Sequence, residues 1–336
     1  MTKTAHARQL SIVVQGEISD ITRQSLRAYR SCVPEAQIIL STYDDCASAA
    51  DELRDHGTVD KLVLSQDPGA LPPTVMSDTA GDNNVNRMLV STQAGLAASS
   101  RAFVLKVRSD AWVDPRRVMA RWAAEGEPHR LLFASRYTRH PFGINGYLFH
   151  VSDWMSFGDA QRSRRYWKAP MMDLRDATYF EHVPMRGEGT ATAKRFRARL
   201  SQEQWVCTHY AESLGYAVPG RLAQRDPHLV EQYIRFLARE CIVCDPATLG
   251  LELSKHRRSF HSLFQRVDCL SESDWRDFHA DWRFHRTSTA GWRHPFFKLR
   301  GLISSMTLAK KYIHRKMRPS APRLIEIVER KHGQTS

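Results

Sequence analysis

"FVLKVRSDAWVDP" runs from Phe103 to Pro115. Its first half is a short apolar run. Its second half passes through Arg108-Ser109-Asp110 and a Trp to an Asp-Pro pair. A continuous apolar run of this length suits a strand buried on both faces, as in a parallel sheet. Asp114 before Pro115 is the pattern of an N-cap followed by proline at the first helical position. The stretch therefore reads strand, polar loop, helix, which is the repeating unit of an α/β sheet.

Working outward, the same alternation recurs. Strands are predicted at "LSIVV" (Leu10–Val14), "QIILST" (Gln37–Thr42), "KLVLS" (Lys61–Ser65), "FVLKV" (Phe103–Val107) and "LLFAS" (Leu131–Ser135). Helical patterns lie between them at "ITRQSLRAYRS", "CASAADELRDHG", "NNVNRMLVSTQAGLAASS" and "DPRRVMARWAAEG". The series predicts an α/β sheet with right-handed crossovers. After residue 150 the strand signal fades. "SDWMSFGDAQRSRRYW" reads as a helix capped by Ser152 or Asp153, and Ser201 with Gln204 forms a capping box ahead of "EQWVCTHYAESLG". Asp226-Pro227 opens a further helix, and "GLISSMTLAKKYIHRKMR" (Gly301–Arg318) is a short amphipathic candidate. The expected organisation is an α/β half over 1–150, a second half of the same domain over 151–250, and a basic helical extension over 251–336.

With 336 residues and 42% apolar composition, the chain has enough interior for one large or two modest domains. The 49 Lys and Arg against 36 Asp and Glu give a net +13. Such a balance favours a polyanionic partner: nucleic acid, a phosphorylated ligand or an anionic membrane. The excess is local, because Arg293 to Lys331 holds eleven Lys or Arg and two Glu, a net +9. That placement argues against a nucleic-acid cleft spread over the protein. "MTKTAHARQL" shows no apolar h-region, so the six cysteines are expected as thiols in a reducing cytosol. No stretch reaches the ~18–20 apolar residues of a membrane span, which predicts a soluble or peripheral protein. Cys241-Ile-Val-Cys244 has no companion pair, so the spacing predicts helix-end thiols rather than a structural zinc.

No glycine-rich dinucleotide fingerprint follows the first strand, where the sequence is "VVQGEISD". "GEGTATAKR" near Gly187 fails as a P-loop. Ligands of open α/β sheets sit outside the carboxyl ends of the strands. Those ends carry Gln15 and Gly16, then Tyr43 to Asp45, then Gln66 to Pro68, then Arg108 to Asp110. "DNNVNR" (Asp82–Arg87) opens the long third helix, where amides serve as caps and an Arg beside free N–H groups suits a phosphate or ribose. Asp110 at the end of a buried strand suits Mg²⁺ or Mn²⁺ held together with substrate phosphates, or a plain pairing with Arg108.

"SIVVQGEI", "IILSTYD", "KLVLSQDPG", "NNVNRMLVSTQAGL", "LKVRSD", "ASRYTR" and "FHVSDWMSFG" occur in this order. Together they resemble the WavE family of lipopolysaccharide-synthesis proteins, bacterial glycosyltransferases similar to the GT-A fold. The resemblance is dense from Leu10 to Gly158 and looser through "SQEQWVCTHYAESLG". It implies a GT-A-like mixed sheet flanked by helices. It also implies a transferase that moves a sugar from a nucleotide-sugar donor to a lipid-linked or core oligosaccharide. Gln15 and Gly16 would border the base, Asp44 would hold base or ribose, and Asn84, Asn86 and Arg87 would meet nucleotide or sugar. Arg108 to Asp110 would stand in place of the family's D-x-D metal motif, with Arg108 departing from it. Either Asp110 and the donor diphosphate hold Mn²⁺ or Mg²⁺, or Arg108 itself offsets phosphate charge. Arg136, Tyr137, Arg139, His150 and Trp154 would receive the acceptor, since aromatics stack on sugars and Arg meets anionic groups.

An inverting transferase needs a base near the acceptor hydroxyl. Asp153 is the first candidate and Glu203 the second, both near predicted helix starts where the dipole lowers a carboxylate's pKa. The basic C-terminus would lie on an anionic membrane surface, placing the protein in the cytoplasm, peripheral to the inner face of the cytoplasmic membrane. Nucleic acid is not the expected partner. The competing readings are a non-enzymatic polyanion- or nucleic-acid-binding protein and an inactive transferase-like fold.

Overall fold

The computed structural model describes residues 8–76, 81–125, 127–143, 145–184, 195–253 and 268–283. The first half alternates as the sequence predicts: β1 (Leu10–Gln15), α1 (Asp20–Cys32), β2 (Gln37–Tyr43), α2 (Ala47–Asp55), β3 (Lys61–Ser65), α3 (Val85–Ala98), β4 (Phe103–Arg108), β5 (Ala111–Trp112), α4 (Pro115–Ala124) and β6 (Leu131–Ala134). The rest comprises β7 (Met155–Asp159), α5 (Ala160–Tyr166), α6 (Leu174–Ala177), α7 (Tyr179–His182), α8 (Gln202–Ser213), α9 (Pro227–Glu240), β8 (Cys241–Cys244), α10 (Pro246–Leu249), β9 (Glu252–Leu253) and α11 (Glu272–Arg283).

Seven strands form one sheet in the order β3-β2-β1-β4-β7-β6-β8, with helices on its faces. The four strands from β3 to β4 are parallel, β7 runs antiparallel to both β4 and β6, and β8 is parallel to β6. The sheet is mixed, as expected, and its strands come from both sides of residue 150. Leu10, Ile12, Val13, Val104, Leu105 and Val107 are buried, which is why β1 and β4 read as unbroken apolar runs. Helix α3 lies close on the sheet because Gly95 has no Cβ: one placed there would meet Val13 Cγ1 at 2.5 Å and Ser41 Cβ at 2.9 Å.

The predicted caps at Asp114, Ser201 and Asp226 form, each side chain accepting from a first-turn N–H. Two strands of the seven-stranded sheet escape the sequence reading, as do the short β5 and β9, which pair with each other. The expected helix from Ser152 or Asp153 is instead a corner followed by β7, and α5 is capped by Asp159. "MSFGD" is weak as strand sequence because Gly158 offers no side chain to pack. A Cβ there would sit 2.6 Å from Leu131 Cδ2 and 3.2 Å from the Arg130 carbonyl, so the glycine lets the start of β6 pack closely. "CIVC" is not a helix end but the buried strand β8. Side chains alternate along a strand, so Cys241 and Cys244 point to opposite faces and cannot share one metal. The amphipathic candidate Gly301–Arg318 lies outside the described residues. Among the described residues no helix is long and apolar enough to cross a membrane.

Candidate active site

Reversal of β7 decides what meets at the sheet's edge. The carboxyl ends of β1, β2, β3, β4, β6 and β8 share one rim. The antiparallel β7 begins where the others end, so the corner at Asp153-Trp154 lands beside Arg108. Arg108 Nε and Nη2 donate to the two carboxylate oxygens of Asp110, each at 3.0 Å, and Nη1 donates to Asp153 Oδ2 at 3.0 Å. Its guanidinium lies over the Trp154 ring at 4.1 Å. Burial opposes the charge on Arg108, but Asp153 and Asp110 more than offset it and hold its pKa above the usual value. One cation thus serves two carboxylates.

Asp153 is fixed from behind as well. Lys106, fully buried in the middle of β4, donates from Nζ to the Asp153 carbonyl at 2.6 Å and lies 4.3 Å from the centre of the Trp167 ring. Burial lowers its pKa to about 7. Sequence reading did not single out Lys106; the available signal was a lysine inside the apolar "FVLKV" run.

Glu203 sits in the first turn of α8. The helix-dipole argument predicts a low pKa there, and the structure reverses it. Burial and the negative charge of Asp153 raise Glu203 to about 7, against the weaker pull of its own backbone N–H, Arg139 and Arg108. Its side chain keeps 22% of its surface accessible and lies 3.4 Å from His150 Nε2. Burial and Arg139 depress His150 to about 3, so the contact joins a carboxylate to a neutral imidazole and is no ion pair. The Nδ1 of this buried imidazole has no hydrogen-bond partner. Asp153, expected at a helix start, stands at a strand start and is tied to Arg108. The group placed to take a proton near neutral pH is Glu203.

Around β1, the backbone turns sharply at Gly16, with φ +124°, and a Cβ there would meet Ser109 Oγ at 2.7 Å. Ser109 N donates to the Gln15 carbonyl at 2.8 Å, which fastens the ends of β1 and β4 together. Gln15 is buried and its Oε1 accepts from nothing. Asp44 opens a single exposed turn after β2. Arg87 is clamped bidentately by Asp67 and donates to Asn84 Oδ1 at 3.0 Å. Asn86 turns inward: its amide accepts from Met172 N at 2.8 Å and donates to Met172 O at 2.9 Å. That pairing ties α3 to the chain ahead of α6 and leaves neither amide atom for a ligand on the rim.

On the other flank, Tyr137 adopts φ 64° and stacks with Trp154 at 6.4 Å, while the Arg136 guanidinium lies 4.9 Å from the Tyr137 ring centre. Trp154 is 3% exposed; packed by Arg108 and Tyr137, it is a wall of the site rather than an open sugar platform. Arg139 pairs with Asp268, which also accepts from Asn145 N and Nδ2 at 3.0 and 2.7 Å. Arg139 therefore fastens the segment from 268 onto the loop between β6 and β7. His150 is buried beneath Glu203's carboxylate rather than open to an acceptor.

The donor set does not fit a divalent cation. Both Asp110 oxygens already accept from Arg108, and the nearest second carboxylate, Asp153, accepts from the same guanidinium. Among the described residues no group of three His, Cys, Asp or Glu is arranged to hold a metal.

A family model described as WavE lipopolysaccharide synthesis matches residues 10–299. No curated protein matches the chain. Among solved structures, a glycosyltransferase involved in glycosylation of the major capsid of PBCV-1 is 12% identical, over 75% of this chain and 96% of its own, with a TM-score of 0.33. S. aureus TarS is 10% identical over 84% of this chain and 45% of its own, with a TM-score of 0.35. The 4-diphosphocytidyl-2C-methyl-D-erythritol synthase of Anaerococcus prevotii is 9% identical over 64% of this chain and all of its own, with a TM-score of 0.33.

Proposed function

The chain belongs to the WavE lipopolysaccharide synthesis family, and from that premise we propose that it is a glycosyltransferase. It would move a sugar from a nucleotide-sugar donor to a lipid-linked or core oligosaccharide acceptor. The observation that carries the reading is Glu203, raised to about 7 on the same rim as the Arg108 cluster. The β3-β2-β1-β4 order with antiparallel β7 beside β4 accords with a GT-A-like architecture.

The nucleotide lies across Gln15, Gly16 and Ser109, where the backbone approaches closely and the buried Gln15 Oε1 accepts no hydrogen bond from the protein. The diphosphate lies at the end of β4 beside Arg108; because that guanidinium serves Asp110 and Asp153, it offsets charge on the leaving group only by releasing one of them, and no step is routed through a metal ion. Glu203 takes the proton of the acceptor hydroxyl. The acceptor oxygen bonds to the anomeric carbon as the bond from that carbon to the diphosphate oxygen breaks, and the nucleoside diphosphate leaves with the electron pair. Single displacement inverts the anomeric centre. Arg136 and Tyr137 border the acceptor. The net +9 over Arg293 to Lys331 supports a protein peripheral to the anionic inner face of the cytoplasmic membrane.

Thermal-shift screening of the full chain against nucleotides and nucleotide sugars, with and without Mn²⁺, tests the proposal. At least one nucleotide should raise the melting temperature without Mn²⁺. If no nucleotide stabilises the protein under either condition, the transferase reading falls.

A further inference from the structure

On the edge of the sheet opposite the rim lies a cavity of about 630 Å³. The carboxyl end of β7 and the amino ends of β6 and β8 meet there. It is lined by Arg162 in α5, Tyr216 just after α8, Arg235, Arg239 and Glu240 in the last turns of α9, and Trp282 in α11. None of the rim residues takes part.

The lining is held in place. Glu240 is buried and accepts from Arg162 Nη1 and Tyr216 Oη, each at 3.0 Å, with Arg239 Nε 3.5 Å away. The Arg235 guanidinium lies 5.5 Å from the centre of the Trp282 ring. Arginines on a plain solvated face have no such common anchor. Arg162 and Arg239 meet Glu240 while Arg235 sits by Trp282, so the lining holds three guanidinium groups and one carboxylate. The ends of α8 and α9 each add about half a negative charge, and the cavity still keeps a positive excess. Guanidinium presents several donors in a plane that fits phosphate oxygens. Ligand pockets span about 300–1,000 Å³, so this one has room for more than a bare anion.

We propose that this cavity is a second, non-catalytic site that binds a phosphate ester carried on a sugar or headgroup, on the face away from the transfer chemistry. It would hold a phosphorylated part of the acceptor or a membrane phospholipid while the rim acts elsewhere. The two sources share one chemistry and are separated by the test below.

The test uses the full chain and the double variant Arg235→Ala/Arg239→Ala. Both positions are exposed, so folding is retained, and stabilisation by nucleotide at the rim checks that independently. One arm titrates glucose 1-phosphate, with glucose as the uncharged control, by calorimetry. The other measures flotation with phosphatidylcholine vesicles with and without phosphatidylglycerol. Loss of charge-assisted hydrogen bonds should weaken binding about tenfold or more in one arm. Loss in the first arm identifies a phosphosugar, and loss in the second a lipid headgroup. Binding in both arms that is equal for wild type and variant, or absent from both proteins, overturns the proposal whatever the outcome at the rim.

Discussion

At the far edge of the sheet, Glu240 is buried but accepts from Arg162 and Tyr216, with Arg239 beside it. At the rim, Glu203 is partly buried, next to a neutral His150 and within the field of Asp153. Two helix carboxylates at opposite ends of one sheet thus differ in their hydrogen-bond support. Burial beside the like charge of Asp153 raises Glu203 and makes it a base near neutral pH. Gln15 Oε1 and His150 Nδ1 are likewise buried without a hydrogen-bond partner, a condition that folded chains keep rare.

The sharpest way to break this comparison is Glu203→Gln. Removal of a general base should lower kcat by about 10²–10⁴-fold while nucleotide-induced stabilisation stays. Wild-type kcat/KM should rise with pH through a midpoint near the Glu203 value of about 7, because only the ionised acid accepts the proton. The stability effect has the opposite sign from a structural residue. A raised folded pKa means that the native state binds the proton more tightly than the unfolded chain, so stability falls as pH climbs from the unfolded value near 4.5 through about 7. Glu203→Gln, which cannot ionise, should therefore exceed wild type by about 2–3 kcal/mol at pH 8 and match it near pH 4. Denaturant titrations at the two pH values check this. A variant less stable than wild type at pH 8, with transfer intact, would make Glu203 a structural residue.

Glu240→Ala is the matched experiment at the other edge. It strands Arg162 and the Tyr216 hydroxyl around a cavity, so about 2–4 kcal/mol of stability should be lost, with nucleotide-induced stabilisation at the rim and the pH dependence of kcat unchanged. Selective loss of kcat here would erase the distinction between the two edges.

How far the sequence foretells this contrast depends on what sets each part. Five strands were legible from their apolar runs: β1, β2, β4 and β6 because they are buried on both faces, and the edge strand β3, exposed to half-buried, from its "KLVLS" pattern alone. β7 was not legible, since "MSFGD" owes its place to Gly158 fitting against Leu131. The Arg108–Asp153 pairing depends on that strand running backwards, and spacing cannot show it. Glu203 was visible as a first-turn acid, but its pKa shift depends on burial in the folded chain and then on Asp153, which is fifty positions away in sequence. Arg108 was conspicuous in the sequence; its role as counterion to two acids needed coordinates.

Gly16→Ala should have a smaller effect. The substitution forces a side chain into φ +124° and against Ser109 Oγ, which costs about 1–3 kcal/mol. Because the strain sits where β1 and β4 are fastened at the rim, nucleotide affinity should fall together with the melting temperature. A variant that loses stability yet binds nucleotide as tightly as wild type would place the nucleotide elsewhere.

The smallest expected effect is that of Mn²⁺ alone. A cation bound at one hundred times its dissociation constant would stabilise the fold by about 2.7 kcal/mol. That is a shift of several degrees for a domain of this size. Such binding would compete with the hydrogen bonds that Arg108 makes to Asp110 and Asp153 and would place a dication beside a guanidinium. In the absence of nucleotide the melting temperature should therefore not move across a Mn²⁺ titration. A clear saturable rise would mean that the Arg108 cluster opens for a metal, and that the rim's charge balance belongs to a resting state rather than to the transferring enzyme.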